Sequence, residues 1–517
     1  MLRIALIVGA GFWAFSPALN GDWLWDDDLL ISQNALIHDP AGLWKIWFQP
    51  DRHLLYFPLT ASVEWFEWRL WHDQTLGYHV INVVLHLTGS LLVWRVFHRL
   101  GLKLAWLGGL IFAIHPINVE SVAWMAELKN TLSLPLFLLA VCAFLDFDER
   151  RKPKDYLLAL GLFVAAMFAK TTMMMFPVVS LLYAWWKRGR IGWGDLKLSV
   201  PFLAVSVAFG FLTLHFLHRS ADAVNIPEGG LLSHLACAGL AISFYFSKCF
   251  LPLQQMPIYP RWDVDPPLFT QFLPYPILIG VLLWCWSKRT PWGRHALLGL
   301  GFFLIMLAPF VSLIPMSYTW VMDHLVYIPL IGLVGLVVAG VGEIETMIPA
   351  SCRPLGVGFV AAVIAFLGWQ CHSYATVFAN PETMWSYAVE KNPEAWPAYD
   401  NLGVAFVKAG DLAGGIEQYN RSLQLHPCPS VYNNLGLALM QTDLLPEALS
   451  AFESSVQLAP EYTETYNHLG FALMEAGREA EAKQQFETAL RLDPGDEYAR
   501  RFLDQIELAE KAALPEQ

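Results

Sequence analysis

Three carboxylates stand side by side near the N-terminus, at Asp26, Asp27 and Asp28, next to Trp23 and Trp25. Adjacent carboxylates repel one another, so the pKa of at least one of them is expected to be raised. A carboxylate with a raised pKa is suited to take a proton from a substrate hydroxyl. Asp26 and Asp27 are therefore candidate catalytic residues; the alternative is a solvated acidic loop or a cap for the helix that follows.

Two histidines and an asparagine, His79, Asn82 and His86, lie at helical spacing inside an apolar stretch. Polar residues are costly within a membrane and usually mark a polar cavity or a contact between helices. A rise of about 1.5 Å per residue places the two histidines roughly 10 Å apart, too far to bind one metal ion on a straight helix. The three residues are predicted to line an active site or to join helices, and no metal site is predicted.

A third group of polar residues stands where apolar runs end, and the order of the runs puts the whole group on one side of a membrane. Cations at such positions can bind a lipid phosphate, and the other members can line the same vestibule. Capping of helix ends at the membrane interface is the alternative. This group comprises His115, Asn118, Glu120, Lys129, Lys170 and His324.

Long apolar runs must position these residues. The chain has 517 residues, 56% of them hydrophobic and only 15% charged, whereas soluble proteins carry about 25% charged residues. Since a span needs roughly 20 apolar residues, the sequence predicts an all-α, polytopic membrane helix bundle of about eleven spans. The candidate spans are 3–20, 78–98, 104–118, 130–147, 156–170, 171–187, 198–217, 273–287, 295–313, 324–342 and 355–372. A further run, 233–252, contains Lys248 and is predicted to lie in the membrane plane or to re-enter it on the outer surface.

Basic residues near the ends of these runs predict the orientation, because Lys and Arg favour the cytoplasmic side. Four basic clusters, which begin at Arg95, Arg150, Lys187 and Lys288, fall on one side if the N-terminus is inside and 233–252 does not cross. The catalytic candidates and the C-terminal tail then lie outside. The compact loops and the lack of an endoplasmic-reticulum retention tail favour a bacterial inner membrane, with the tail in the periplasm.

The polar tail carries three copies of a pattern with a period of 33–34 residues, at 396–427, 428–460 and 461–494. Each copy has Leu-Gly near its start, a Tyr four residues before that Gly, a Tyr or Phe sixteen residues after it, and a closing Pro. This spacing is typical of tetratricopeptide repeats, which stack pairs of antiparallel helices into a solenoid. The predicted domains are a membrane domain 1–375 with a first outer loop 20–77, a half repeat and linker 376–395, three repeats 396–494, and a capping helix and tail 495–517.

Repeat arrays of this kind present an extended concave surface to a partner. Asn401, Asn434 and His468 share one position of the repeat and are candidates to bind the backbone of a protein or peptide acceptor, with an ordinary polar surface as the alternative. From Pro381 onward the chain has 22 acidic and 9 basic residues. This negative charge argues against a nucleic-acid partner, whose phosphates would be repelled.

The order of motifs resembles the transmembrane and tetratricopeptide-repeat-containing O-mannosyltransferases (the TMTC family), which belong to the GT-C glycosyltransferases. The resemblance covers nearly the whole chain and depends on the combined order rather than on any single motif. The matching motifs are Trp25-Asp26-Asp27, Tyr56-Phe57-Pro58-Leu59-Thr60, His79 with Asn82 and His86, His115-Pro116, Glu120-Ser121-Val122-Ala123-Trp124, Lys129-Asn130, Ala169-Lys170-Thr171, Asp323-His324 with Tyr327 and Pro329, and the repeats.

The resemblance implies a GT-C-like fold and an inverting protein glycosyltransferase. Asp26 or Asp27 would take the proton of an acceptor Ser or Thr hydroxyl, whose oxygen attacks the anomeric carbon of mannose or another hexose on a polyprenyl phosphate. The lipid phosphate would leave, stabilised by cations of the outer face, so a divalent metal is compatible with the reaction but not required. The donor phosphate or the wall of the site would be formed by His79, Asn82, His86, His115, Asn118, Glu120, Lys129, Lys170 and His324.

Two alternatives to this function stay open at the level of sequence. One is a non-catalytic, membrane-anchored repeat scaffold. The other is a GT-C transferase that modifies lipid or polysaccharide, with the repeats recruiting assembly partners. Polar residues within the membrane favour an enzyme over a scaffold, because a scaffold does not need them.

Overall fold

The chain folds into two helical units, Met1–Asn380 and Pro381–Gln517. The computed structural model describes residues 1–53, 55–220, 229–290, 292–311 and 319–513. Residue 54 of the predicted first loop, residues 312–313 of the predicted span 295–313 and residues 514–517 of the predicted tail lie outside these ranges. No β-strand occurs in the described ranges, and the predicted all-α class is confirmed.

The described residues of the first unit form sixteen α-helices. They are α1 Leu2–Phe15, α2 Ala35–His38, α3 Gly42–Phe48, α4 Pro58–Trp71, α5 Leu76–Arg99, α6 Ala105–Ala113, α7 Val119–Ala123, α8 Leu128–Arg150, α9 Pro153–Ala169, α10 Phe176–Arg188, α11 Trp193–Ser220, α12 Leu231–Phe250, α13 Pro274–Ser287, α14 Gly293–Leu307, α15 Leu330–Met347 and α16 Arg353–Ala375.

Eight helical segments in the described residues are long and apolar enough to cross a membrane, and the protein is a multi-pass membrane protein. These segments contain α5, α8, α11, α12, α13, α14, α15 and α16. The pair α6 and α7 would make a ninth span, bent by 52°. The predicted spans 3–20, 156–170 and 171–187 correspond to the shorter helices α1, α9 and α10. The total of about eleven spans therefore stays a prediction.

Prolines determine where several of these helices begin and end. The predicted span 324–342 begins later, because residues Asp323–Val326 form a 3₁₀ turn and α15 starts directly after Pro329. The predicted span 104–118 breaks after α6, where Pro116 opens a second short turn. Proline lacks an N–H group and clashes with the preceding turn, so a helix stops before it or starts beside it. Both breaks leave polar residues in irregular backbone at one end of the bundle.

The helix α12 meets the length and polarity requirements of a span, but its contacts bear on the predicted in-plane position. Near its C-terminus, the carbonyl of Cys249 accepts a hydrogen bond from His115 Nε2 at 3.0 Å. Near its N-terminus, the carbonyl of Leu235 accepts one from the Tyr275 hydroxyl at 2.7 Å, in the first turn of α13. Both partners lie at helix ends that face away from the basic clusters. The in-plane position stays a prediction, and these contacts agree with it.

The second unit is a stack of antiparallel helix pairs. Its helices are α17 Pro381–Lys391, α18 Trp396–Lys408, α19 Leu412–Leu425, α20 Pro429–Met440, α21 Leu445–Leu458, α22 Thr463–Glu475, α23 Glu479–Leu492 and α24 Glu497–Ala513. In each pair the repeated Gly faces the repeated aromatic ring: a Cβ placed on Gly436 would lie 2.5 Å from the ring of Phe452. Only glycine allows this approach, and the predicted tetratricopeptide solenoid is confirmed.

Candidate active site

The start of the first loop is docked onto the segment that joins α7 to α8. The rings of Trp25 and Trp124 are stacked, with centroids 5.1 Å apart and planes inclined by 7°. The indole N–H of Trp124 donates to the carbonyl oxygen of Leu24 at 3.3 Å. Trp25 has a φ of +45°, an uncommon backbone conformation for a residue other than glycine. Such strain is found where surrounding contacts hold a site in a fixed geometry.

Asp27 fastens this loop to the membrane unit. Its side chain is fully buried, and its two carboxylate oxygens accept hydrogen bonds from the backbone N–H groups of Leu24 at 2.8 Å and Ala126 at 2.6 Å. Burial raises the pKa of Asp27 well above its usual range, while the two N–H groups act in the opposite direction. Since both oxygens are already bound by the backbone, the geometry suits Asp27 to a positioning role.

Asp26, the neighbouring residue, lies near charged side chains, whereas Asp27 is bound by backbone N–H groups. Burial raises the pKa of Asp26, the positive charge of Lys129 lowers it, and the negative charge of Glu127 raises it again. His324 also acts to lower this pKa. A carboxyl that is desolvated but lies close to cations can hold or release a proton, as a general base requires.

Glu127 is the centre of the charged cluster. Its side chain is 1% exposed, and its two oxygens lie 2.9 Å from Lys129 Nζ and 3.2 Å from Lys170 Nζ. The side-chain amide of Asn130 donates to it at 2.5 Å. The two lysines come from the start of α8 and from the residue after α9. One buried carboxylate thus holds two ammonium groups in place beside Asp26.

A second carboxylate holds the third basic group. Glu120 Oε1 lies 2.8 Å from His324 Nδ1, and Glu120 Oε2 accepts the backbone N–H of His324 at 3.3 Å. His324 lies in the 3₁₀ turn before α15, and Glu120 lies in α7. The structure therefore brings Asp26, Lys129, Lys170, Glu120 and His324 to one end of the bundle, called here the site end.

The other histidines of the predicted set have partners inside the bundle. His86 Nδ1 lies 2.8 Å from the hydroxyl of Tyr327, and its Nε2 lies 3.1 Å from the carbonyl oxygen of Ala113. His115, through its bond to Cys249, joins α12 to the break after α6. Both rings join separate helices. Their contacts stabilise the non-α-helical segments after α6 and before α15, which lie next to Glu120 and contain His324.

The remaining members of the predicted set, Asn82, His79 and Asn118, also form hydrogen bonds within the membrane unit. Asn82 accepts a hydrogen bond from Thr131 at 2.8 Å, and its amide donates to the carbonyl of Trp124 at 3.4 Å. His79 Nε2 donates to the carbonyl of Gly21 at 3.3 Å, while its Nδ1 is buried without a partner. Asn118 donates to the carbonyl of Phe112 at 2.7 Å. Asn82 thus binds the segment after α7, which the first loop contacts, and His79 binds the start of the first loop itself.

Sequence reasoning missed three buried acids of this site end. Glu127 was overlooked although a charged residue in the apolar segment Met125–Arg150 is itself a signal of function. Glu64 and Glu67, on α4 of the first loop, are 5% and 4% exposed. Burial raises the pKa of Glu64 to about 7, against the lowering effect of Lys129, and it raises the pKa of Glu67 well above its usual range. Two acids on a short loop helix normally indicate a solvated face, so the sequence does not reveal that Glu64 and Glu67 are buried.

The predicted acceptor-binding residues lie along the repeats. The Asn434 amide donates to Asp400 at 3.1 Å, and His468 Nδ1 lies 2.8 Å from the Asn433 side-chain oxygen. Asn401 donates to the carbonyl of Pro397, within its own helix, at 2.8 Å. Two of the three residues therefore link neighbouring repeats, and all three remain partly exposed.

The described residues contain no group of three or more His, Cys, Asp or Glu side chains placed to hold a metal ion. What the site end offers is one carboxyl, Asp26, beside the two lysines held by Glu127 and the histidine held by Glu120. Such an arrangement can accept a proton at one point and neutralise an anion at another.

Comparisons with known proteins match both units. A family model described as dolichyl-phosphate-mannose-protein mannosyltransferase matches residues 58–218, and two tetratricopeptide-repeat models match residues 401–463 and 439–506. A protein O-mannosyl-transferase of Caenorhabditis elegans is 28% identical over 161 residues, which cover 27% of this chain and 23% of that protein. Protein O-mannosyl-transferase TMTC1 of Homo sapiens is 28% identical over 202 residues, which cover 35% of this chain and 23% of that protein. The matched parts thus span less than a quarter of these relatives.

Part of the chain is similar to solved structures. The first tetratricopeptide domain of Spaghetti (RPAP3), bound to an HSP90 peptide, is 25% identical and covers 22% of this chain and 93% of that chain, with a TM-score of 0.22. PilF of Pseudomonas aeruginosa is 23% identical and covers 29% of this chain and 66% of that chain, with a TM-score of 0.25. The chain is thus similar to the TMTC proteins and to a mannosyltransferase family model over residues 58–218, and to tetratricopeptide-repeat models over residues 401–506.

Proposed function

We propose that this protein is an inverting GT-C glycosyltransferase that moves a hexose, mannose in the first instance, from a polyprenyl phosphate to Ser or Thr of a protein acceptor. The observation that carries the proposal is the position of Asp26 beside Lys129 and the Glu127–Lys170 ion pair. The printed names of the matched relatives, protein O-mannosyl-transferases, support the same chemistry.

In the proposed step Asp26 takes the proton of the acceptor hydroxyl as the hydroxyl oxygen forms a bond to the anomeric carbon. The bond between that carbon and the phosphate oxygen breaks on the opposite face, and its electron pair stays with the lipid phosphate. Lys129 and Lys170 neutralise the added negative charge, and His324 can do so as well. Asp27 takes no part in proton transfer, because its oxygens hold the loop in place.

The proposal also includes the orientation of the protein in the membrane and the role of the repeats. The site end is assigned to the outer side of a bacterial cytoplasmic membrane, with the N-terminus inside and the repeats in the periplasm; the basic clusters at the opposite helix ends support this orientation. The predicted domain limits and the acceptor-binding role of Asn401, Asn434 and His468 belong to the same proposal. The inter-repeat contacts of Asn434 and His468 support a fixed surface for an extended peptide.

The direct test uses purified protein in lipid nanodiscs, polyprenyl-phosphate mannose with a radiolabelled sugar, and a Ser/Thr-rich peptide. Wild type should transfer label to the peptide, and Asp26→Asn should not. Asp73→Asn, an exposed acid of the same loop, is the matched control and should retain full activity. Absence of transfer by folded wild type, tested with both a short and a long polyprenyl chain on the donor, would reject the proposal.

A further inference from the structure

We infer that Glu64 and Glu67 form the subsite that binds the hydroxyl groups of the donor sugar, a pyranose on a lipid phosphate. The inference deepens the proposed function and rests on it. Its basis is the unusual burial of α4, a helix of the first loop whose inward face carries acids instead of apolar side chains.

The helix α4 lies across the site end. Near its start, the Thr60 hydroxyl donates to the carbonyl of Ala169 at 2.9 Å, directly before Lys170. One turn later, Glu64 interacts electrostatically with Lys129. Further along, Glu67 interacts electrostatically with Tyr78 of α5. The buried face of α4 therefore passes from one proposed phosphate-binding lysine to the other and on to α5.

Both acids on this face are buried, and one of them has an oxygen that the protein leaves unpaired. Glu64 and Glu67 are 5% and 4% exposed, and Glu67 Oε1 has no hydrogen-bond partner. Buried polar atoms are almost always bonded, and an orphaned one calls for an explanation such as a missing ligand. A nearly buried carboxyl beside an anion site would be costly unless a neutral polar group completes it. Sugar hydroxyls are neutral and both donate and accept.

The position of Glu64 identifies which part of the ligand it meets. Lys129 lies within electrostatic range of Asp26 as well as of Glu64, so both carboxyls lie near one ammonium group. In the proposed reaction that ammonium binds the phosphate and Asp26 meets the acceptor hydroxyl. The pyranose lies between these two points by its covalent attachment to the phosphate. Glu64 therefore borders the sugar, and Glu67, one turn further, reaches hydroxyls on the side away from the phosphate.

The charge state of the pair suits this role. Burial raises the pKa of both carboxyls, and Glu64 adds to the rise at Glu67. A neutral carboxyl can donate one hydrogen bond and accept others, which matches a hydroxyl that must do the same. A neutral Glu67 also avoids repelling the phosphate.

The experiment compares binding of polyprenyl-phosphate mannose with binding of the same polyprenyl phosphate without sugar, for wild type, Glu64→Leu and Glu67→Leu. Wild type should prefer the mannosylated lipid, and each substitution should reduce this preference by about tenfold, the equivalent of one hydrogen bond. Affinity for the bare lipid phosphate should not fall. Glu345→Leu, at the end of α15 away from the site end, is the matched control and should change neither affinity.

A second measurement begins with wild type alone, so its first result does not depend on the variants being folded. Wild type is tested with donors that lack single hydroxyls of the pyranose, and at least one deoxy donor should bind about tenfold more weakly. Folded Glu67→Leu should then show no difference between that donor and mannose. Equal binding of all deoxy donors by wild type, or an unchanged mannose preference in folded Glu64→Leu and Glu67→Leu, would overturn the inference.

These outcomes separate the inference from the proposed function. Transfer by wild type together with unchanged preference in both variants rejects the sugar subsite alone. Sugar-dependent binding that both variants lose, without any transfer to protein, rejects protein glycosylation and retains the subsite.

Discussion

Lys170 and Glu127 form a buried ion pair, with 3.2 Å between ammonium and carboxylate, although 43 residues separate them in the sequence. The pair joins the end of α9 to the start of α8. It fixes a cation next to Asp26 without leaving that cation uncompensated when no anionic substrate is bound. The same carboxylate also holds Lys129 at 2.9 Å, so the charge balance of the site depends on one residue.

Removing that carboxylate should destabilise the fold. Glu127→Gln leaves two buried ammonium groups without their partner, and we expect a loss of about 3–5 kcal/mol of unfolding free energy. Lys170→Met should also destabilise, while the double variant should lose less than the sum of the two by about 0.5–3 kcal/mol. Thermal unfolding of the four proteins measures this coupling. Additive losses would show that the two side chains do not interact.

Asp26 and Asp27 should respond differently to the same chemical change. Asp26→Asn should reduce the transfer rate by at least about 10²–10⁴-fold and leave the melting temperature unchanged or raised. Asp27→Asn should cost about 1–3 kcal/mol of stability, because one of two backbone N–H groups would face an amide N–H₂ instead of an oxygen. Rates and melting temperatures of both variants test the division of roles. Equal loss of stability in the two variants would contradict it.

The pH dependence of rate and of stability should run in opposite directions for Asp26. Burial raises the pKa of Asp26 in the folded state, so the folded protein holds this proton to a higher pH than the unfolded chain, whose value is about 3.9. The group therefore lowers the free energy of unfolding as pH rises from about 3.9 through the folded pKa. The transfer rate should rise over the same window, since the carboxylate is the base. Asp26→Asn should remove its share of the stability slope, and an unchanged slope would show that the folded pKa is not raised.

Close packing of the repeats predicts an effect of a single methyl group. Gly436→Ala should destabilise α20 and α21 by about 1–3 kcal/mol, because the added Cβ would lie 2.5 Å from the Phe452 ring. Phe452→Leu in the same chain should recover part of that loss. Gly280→Ala, where nothing lies within 4 Å of the added atom, is the control. Hydrogen exchange of the two helices in the full-length protein measures the effect, and unchanged exchange in Gly436→Ala would refute it.

Sequence alone predicted the helical class and the repeats because both depend on local spacing. A Gly that must face an aromatic ring recurs at fixed intervals, and apolar runs reveal their length directly. It also named Asp26, Lys129, Lys170 and His324, since charges at the ends of apolar runs are conspicuous.

What sequence could not provide depends on contacts between distant segments. The difference between Asp26 and Asp27 arises only when the N–H of Ala126 meets Asp27. The burial of Glu64 and Glu67 arises only when α4 lies over the ends of α8 and α9. The start of α15 at Leu330, after a turn that holds His324, depends on the contact of that histidine with Glu120.

The most direct test of the central claim is mass spectrometry of intact glycopeptides from cells that express wild type or Asp26→Asn at matched levels in a deletion background. The account predicts hexose on Ser or Thr of exported proteins with wild type and its loss with Asp26→Asn. Identical glycopeptides in the deletion strain, the wild-type strain and the Asp26→Asn strain would contradict the claim that this protein glycosylates proteins.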